Sequence, residues 1–178
     1  MAKKPKGSSH GKPKSPRPAS PNAEPGKPRL YTLDVFLIGG LVTEKFAKKN
    51  PVISRTIQIR GDQTLEDLHE AIFAAYDRFD EHMYEFQLGK RQMERPTYVL
   101  PMALENYADE RAAGTVDKTT IDSLKLKKGR SFGYWFDFGD DWWHQIDVEA
   151  VEEDVPKGKY PKITKRVGKS PPQYPEEE

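Results

Sequence analysis

The chain contains no cysteine, which excludes disulfide cross-links, thiolate zinc sites and cysteine nucleophiles. It also lacks a long apolar run. The longest, Val35–Val42, is broken by Gly39 and Gly40 and falls far short of the roughly 20 residues that cross a bilayer. The N-terminus is basic but has no apolar segment of the kind a secretory signal needs. These deficits predict a cytoplasmic protein without membrane contact, and nothing in the residue pattern asks for a cofactor. Hydrophobic residues make up only 35% of the 178 residues and mean hydropathy is −0.84, so part of the chain is not expected to pack.

Net charge is small as well, at +1, but it conceals an asymmetry. Residues 1–29 carry Lys3, Lys4, Lys6, Lys12, Lys14, Arg17, Lys27 and Arg29 against Glu24 alone, a charge of +7, which leaves −6 for residues 30–178. The first segment also holds seven of the fifteen prolines and no hydrophobic periodicity, so it reads as a disordered basic tail. Such a tail serves either as a phosphate-binding arm, gaining affinity by counterion release, or as a solubilising leader.

What is present beyond residue 29 predicts one α+β domain over residues 30–160, followed by a proline-rich C-terminal coil over 161–178. Leu30–Gly39 and Val52–Arg60 alternate as strands. Thr64, with Asp67 three residues on, predicts a helix N-terminus with a capping box. Leu65, Leu68, Ile72, Ala75, Tyr76 and Phe79 then form one apolar stripe at helical spacing. Met83–Gly89 predicts a third strand, and Arg95–Pro101 a short one at a sheet edge because of its prolines. Leu104–Ala113 reads as a helical turn or two ended by Gly114. Thr119–Leu126 reads as a short turn delivering Leu124 and Leu126 to the core.

The most informative stretch is Gly129–Glu149, which holds all three tryptophans. Phe132, Tyr134, Phe136 and Phe138 alternate with Gly133, Trp135 and Asp137, and Trp142, His144, Ile146 and Val148 with Trp143, Gln145, Asp147 and Glu149, so both runs are strands. A three-residue loop, Gly139-Asp140-Asp141, pairs Phe138 with Trp142, Phe136 with His144, Tyr134 with Ile146 and Phe132 with Val148. A two-residue loop would set these aromatics against Asp141, Trp143, Gln145 and Asp147, since a one-residue slip reverses every side chain. The odd loop makes one face apolar and leaves the other with Ser131, Trp135, Asp137, Trp143, Gln145, Asp147 and Glu149.

Four pieces of the chain resemble the plasmid pRiA open-reading-frame-three-like family, some of whose members are described as insertion-sequence passenger or TnpR-like proteins. They are Thr64–Phe86, the TTIDSLKLKKG run, the YWFDFGDDWWHQIDVE block, and a terminal pattern at Tyr160-Pro161, Gly168 and Pro171-Pro172. Phe138, Gly139, Asp140, Trp142 and His144 carry the most specific motif. The resemblance implies a helix packed on a curled, mainly antiparallel sheet, roll- or β-grasp-like. It implies a mobile-element setting too, while no residue here supports recombinase chemistry.

Gly129-Arg130-Ser131-Phe132-Gly133 matches G-x-S-x-G, but a nucleophile elbow follows a strand and precedes a helix, whereas Ser131 opens a strand. Asp140, Asp141 and His144 could serve as metal ligands, with His82 or His69, in a metal-dependent hydrolase. Against this, aspartates suit a tight turn, and no HExxH or cysteine framework accompanies them. Trp135 and Trp143 could stack bases, but the neighbouring carboxylates supply the wrong field. An acidic surface with exposed tryptophans better suits a cationic protein segment, unless the C-terminal coil covers it. The expected function is therefore a non-enzymatic binding module using Trp135, Asp137, Asp140, Asp141 and Trp143. The alternative is non-specific nucleic-acid binding through the tail.

The charge division yields a direct test. The full-length chain is expected to bind duplex DNA weakly, with log affinity falling by about 0.9 per neutralised phosphate for each decade of salt. Fluorescence anisotropy should show the binding lost on removing residues 1–29. Equal binding by the remaining body would place a nucleic-acid site on the sheet.

Overall fold

The computed structural model describes residues 26–107 and 112–175. Lys3, Lys4, Lys6, Lys12, Lys14 and Arg17 of the expected tail lie outside these. Lys27 and Arg29, read with that tail, instead touch the body. Lys27 pairs with Asp154 at 3.1 Å, while Arg29 pairs with Asp122 at 3.0 Å and its carbonyl accepts the Gly61 amide.

The alternating segments form an eight-stranded sheet among the described residues. Its strands are β1 (Leu30–Leu37), β2 (Ser54–Arg60), β3 (Tyr84–Gln87), β4 (Thr97–Val99), β5 (Ala112–Thr115), β6 (Ser131–Phe136), β7 (Trp142–Glu152) and β8 (Lys162–Val167). Their spatial order is β5-β4-β3-β6-β7-β1-β2-β8. Only the β4–β5 pair is parallel, so the sheet is mixed and the fold is α+β. The sheet is not closed. Among the described residues no helix is long and apolar enough to cross a membrane.

Two expectations near β4 need correction. It is not an edge strand, because β5 pairs outside it. Within the segment read as a helix, α3 (Pro101–Tyr107) ends early and β5 begins at Ala112. Residues 108–111 lie outside the described ones. Gly114 sits inside that strand rather than ending a helix.

The main helix, α2 (Leu65–Ala75), starts where the capping pattern places it. Thr64 accepts from the Asp67 amide at 3.2 Å and Asp67 accepts from the Thr64 amide at 2.8 Å. Leu65, Leu68, Ile72, Ala75 and Tyr76 are buried against Tyr31, Leu33, Ile57, Phe86 and the β6–β7 aromatics. Phe79 leaves the stripe and is 73% exposed, because the helix stops at Ala75 and Asp77 takes a left-handed φ of 55°.

The helix end is held by Arg55, only 2% exposed. Its guanidinium donates to the carbonyls of Ala75, Ser54, Val167 and Gly168 and to the Ser170 hydroxyl. A cation there satisfies orphan carbonyls and complements the helix dipole. The same bonds recruit the C-terminal segment. Lys162–Val167, expected to be coil, is strand β8 on β2, and buried Gln173 bonds the backbone of Phe79 and Asp80.

The central hairpin has the expected parity but a register moved by two residues. Phe136 faces Trp142, Trp135 faces Trp143, Tyr134 faces His144 and Phe132 faces Ile146. The loop is therefore Asp137–Asp141, not Gly139–Asp141. The Asp137 carboxylate accepts the amides of Gly139 and Asp140 at 3.1 and 3.2 Å, and its carbonyl accepts the Asp141 amide. Asp137 and Asp141 both adopt left-handed backbone, φ 57° and 54°, which aspartate tolerates. Phe138, expected in the core, is consequently 40% exposed.

Buried polar groups accompany this core. His69 stacks on Tyr84 with centroids 3.7 Å apart; its Nδ1 lies 2.7 Å from the Tyr134 hydroxyl and its Nε2 3.3 Å from Glu81. Burial depresses the His69 pKa to about 4. Burial, with the Arg78 charge, depresses that of His144 to about 3. Both lie below the ordinary 6.5, so the unfolded chain takes up these protons first.

Two stability predictions follow from burial and register. Phe136→Ala should cost about 3–5 kcal/mol in urea unfolding. Phe138→Ala should cost under about 1 kcal/mol; a large loss there would restore the shorter loop. As pH falls below 6.5, stability should decline by up to about 1.4 kcal/mol per pH unit for each of the two histidines. Unfolding between pH 7 and 5 should then show a shallower decline in His144→Phe. An unchanged slope would mean that His144 is not held neutral by the core.

Candidate functional site

Side chains on β6 and β7 that point away from α2 form the candidate site. Because Trp135 and Trp143 are directly opposite in the ladder, their rings stack in parallel, 4.5 Å apart and 8° from coplanar. Phe138, released from the core by the longer loop, lies 4.1 Å from Trp135. The Trp135 indole N–H donates to Asp141 at 3.0 Å. Both tryptophans are half-buried, with exposed Gln145 and half-buried Asp147 beyond Trp143.

The chain leaving β1 completes this surface. The Ile38 amide donates to the Trp143 carbonyl at 2.8 Å, and its side chain is 57% exposed. A Cβ on Gly39 would stand 3.2 Å from Trp143, and one on Gly40, φ +136°, would lie 2.2 Å from the Trp142 ring. Only glycine lets this turn seat itself on adjacent tryptophans that face opposite sides of the sheet. Ile38 and Phe138 thus border the tryptophan pair as exposed apolar groups, and Leu41, also exposed, follows the glycine turn.

The expected site residues are divided by the sheet. Trp135 and Trp143 meet, Asp141 holds one of them, and Asp140 is half-buried at the turn. Asp137, expected on the acidic surface, is buried and spends one carboxylate oxygen on turn amides. Its other oxygen lies 3.5 Å from His82. Trp142 and His144 are on the core side. Ser131 donates to Asp147 at 2.6 Å, on the face opposite His144. Among the described residues no three His, Asp or Glu side chains are grouped as metal ligands. The C-terminal segment runs to Phe79, Asp80 and His82 rather than over the tryptophans.

Arg78 was not singled out by its sequence context. Its guanidinium is 3.7 Å over the Trp142 ring, only 7% of the residue is exposed, and its nitrogens have no hydrogen-bond partner. Burial lowers its pKa to about 10. The ring face replaces the carboxylate that a buried cation usually requires. Ile38 and Leu41 were missed because apolar residues flanking a Gly-Gly pair read as strand and core.

The arrangement can hold apolar or cationic groups against ring faces, and offers carboxylates beside them. Two known proteins to which the chain is similar are described without an activity. An uncharacterized protein, y4hQ, of Sinorhizobium fredii is 28% identical over 126 residues, covering 69% of this chain and 59% of that relative's length. In the solved structures, a protein of unknown function, MM3350 from Methanosarcina mazei Go1, matches with a TM-score of 0.62 and 23% identity. That match covers 82% of this chain and 72% of the other, and it supports the fold alone. The family model described as "Plasmid pRiA4b ORF-3-like protein" matches residues 43–174. This range takes in α2, the Phe138–His144 motif and the C-terminal segment around Gln173, so the chain belongs to the plasmid pRiA4b ORF-3-like protein family.

Proposed function

We propose that the protein is a binding module without catalytic chemistry, which recognises a cationic segment of a protein partner through Trp135 and Trp143. One observation carries this reading: two stacked, half-exposed indoles lie on the sheet face that α2 leaves uncovered, with Asp141 bonded to one of them and Asp140 next to it in the turn. Contiguous exposed apolar groups mark interaction surfaces. An indole face beside carboxylates favours Lys or Arg through cation–π attraction and charge pairing. In this reading the sheet is a β-grasp-like roll, whose helix covers one face and whose ligand occupies the other.

Affinity capture with the full chain, with and without nuclease, followed by titration of the purified partner, tests the proposal. A nuclease-resistant partner should bind with quenched tryptophan fluorescence and lose about 2 kcal/mol or more on Trp143→Ala. The melting temperature should change little, since the ring is half-exposed. A partner retained by the Trp135→Ala/Trp143→Ala protein, or lost on nuclease treatment, would overturn the reading.

A further inference from the structure

The tryptophan face is more than a flat patch. A groove of about 110 Å³ is lined by Gly133, Trp143, Ile38 and Gln145 together with Lys90 and Arg91. A second cleft, of about 470 Å³, shares Ile38 and Gln145 with it and continues past Asp147 to Phe36 and Val52. The two clefts adjoin at these shared residues, and the lining of the resulting trough draws on β3, β6, β7, β1 and the residues leading into β2. These strands are consecutive neighbours in the sheet. Four interstrand spacings of about 4.8 Å give a length of about 19 Å, or about six extended residues.

The trough crosses the strands, so an occupant cannot be joining the sheet as a further strand. Its lining includes a glycine in mid-strand, Gly133 of β6. A Cβ at Gly133 would meet Gln87 at 3.4 Å, an ordinary contact, so a small side chain fits while a large one would fill the space. A strand glycine marks a place where another chain can come close.

Charge along the trough is ordered. At the β3 end stand Lys90 and Arg91, with Arg91 3.7 Å from Glu94. Towards the other end Asp147 lines the cleft, and Asp34 is directly opposite it across β1 and β7, just outside the lining. Like charges in that position repel. Asp34 accepts from the Thr56 hydroxyl and Asp147 from Ser131 and Gln145; among the described residues neither has a cation. Lys165 is on the neighbouring strand pair, opposite Thr56. The carboxylate pair is therefore short of one positive charge, while the β3 end has a positive charge to spare.

We infer that the trough binds an extended segment of a partner protein in which an acidic residue, an apolar or aromatic residue and a basic residue follow in spatial order. The acid meets Lys90 and Arg91. The apolar side chain lies over Gly133 beside Trp143, and the base sits between Asp34 and Asp147. This rests on the proposed partner-binding role of the tryptophan pair and specifies what that partner presents.

The full chain is to be panned against a randomised peptide display library, with selected peptides titrated by tryptophan fluorescence. Enriched peptides should carry the acid–apolar–base order. Replacing the base by Glu should weaken binding by about tenfold or more. Asp34→Asn/Asp147→Asn should abolish selection for the base, and Lys90→Glu/Arg91→Glu should replace the selected acid by a base. Gly133→Leu should weaken binding by about tenfold, with near-UV circular dichroism establishing that the fold persists. Peptides that need Trp143 but show no charge order, or whose order ignores these charge variants, overturn the trough and leave the tryptophan reading standing. Peptides equally enriched on Trp143→Ala, or no enrichment at all, overturn both.

Discussion

The side-chain parity of the central hairpin, held by the buried carboxylate of Asp137, is the constraint on which the rest of the sheet depends. Strands β6 and β7 occupy the fourth and fifth places of eight, so their alternation is passed to β3 and β1 through direct pairing. An odd loop sends Trp142 and His144 inward and Trp143 outward. An even loop would reverse them and place Gln145 and Asp147 in the core. Asp137 secures the odd count by accepting two amides of the turn while its own backbone and that of Asp141 are left-handed. One carboxylate thereby separates the face that folds from the face available for recognition.

The two buried arginines are held without carboxylate partners. Arg55 is neutralised by helix and strand carbonyls, a site where the helix dipole already favours a cation. Arg78 rests on the Trp142 ring, and His69 and His144 are kept neutral by burial. Several acidic residues stand on the outer face. Asp34, Asp147 and Asp141 are engaged there by hydroxyl, amide or indole donors rather than by cations. The body as a whole carries a charge of −6.

Local chemistry made much of this legible from the residues alone. Thr64 and Asp67 announce the start of α2 because a capping box is completed within four residues. The alternation from Phe132 to Val148 determines which side chains share a face, since a strand's period of two needs no knowledge of its neighbours. The Phe138–His144 motif carried the family in the same way. These signals are all short in range, and each is written in the spacing of adjacent residues.

What only the tertiary structure decided depends on contacts between distant segments. The hairpin register moved by two because Asp137 prefers capping its turn to extending the ladder, a choice that alternation cannot register: both loops are odd. Lys162–Val167 became a strand because β2 offered an open edge and Arg55 offered donors to Val167 and Gly168; its own composition reads as coil. Arg78 looks like any surface arginine until Trp142 is folded beneath it. The trough over Gly133 exists only once β1, β7, β6 and β3 lie side by side. Sequence by itself determined parity, caps and faces, because those follow from neighbouring residues; the tertiary structure decided register, edges and the open groove, because those are set by partners far along the chain.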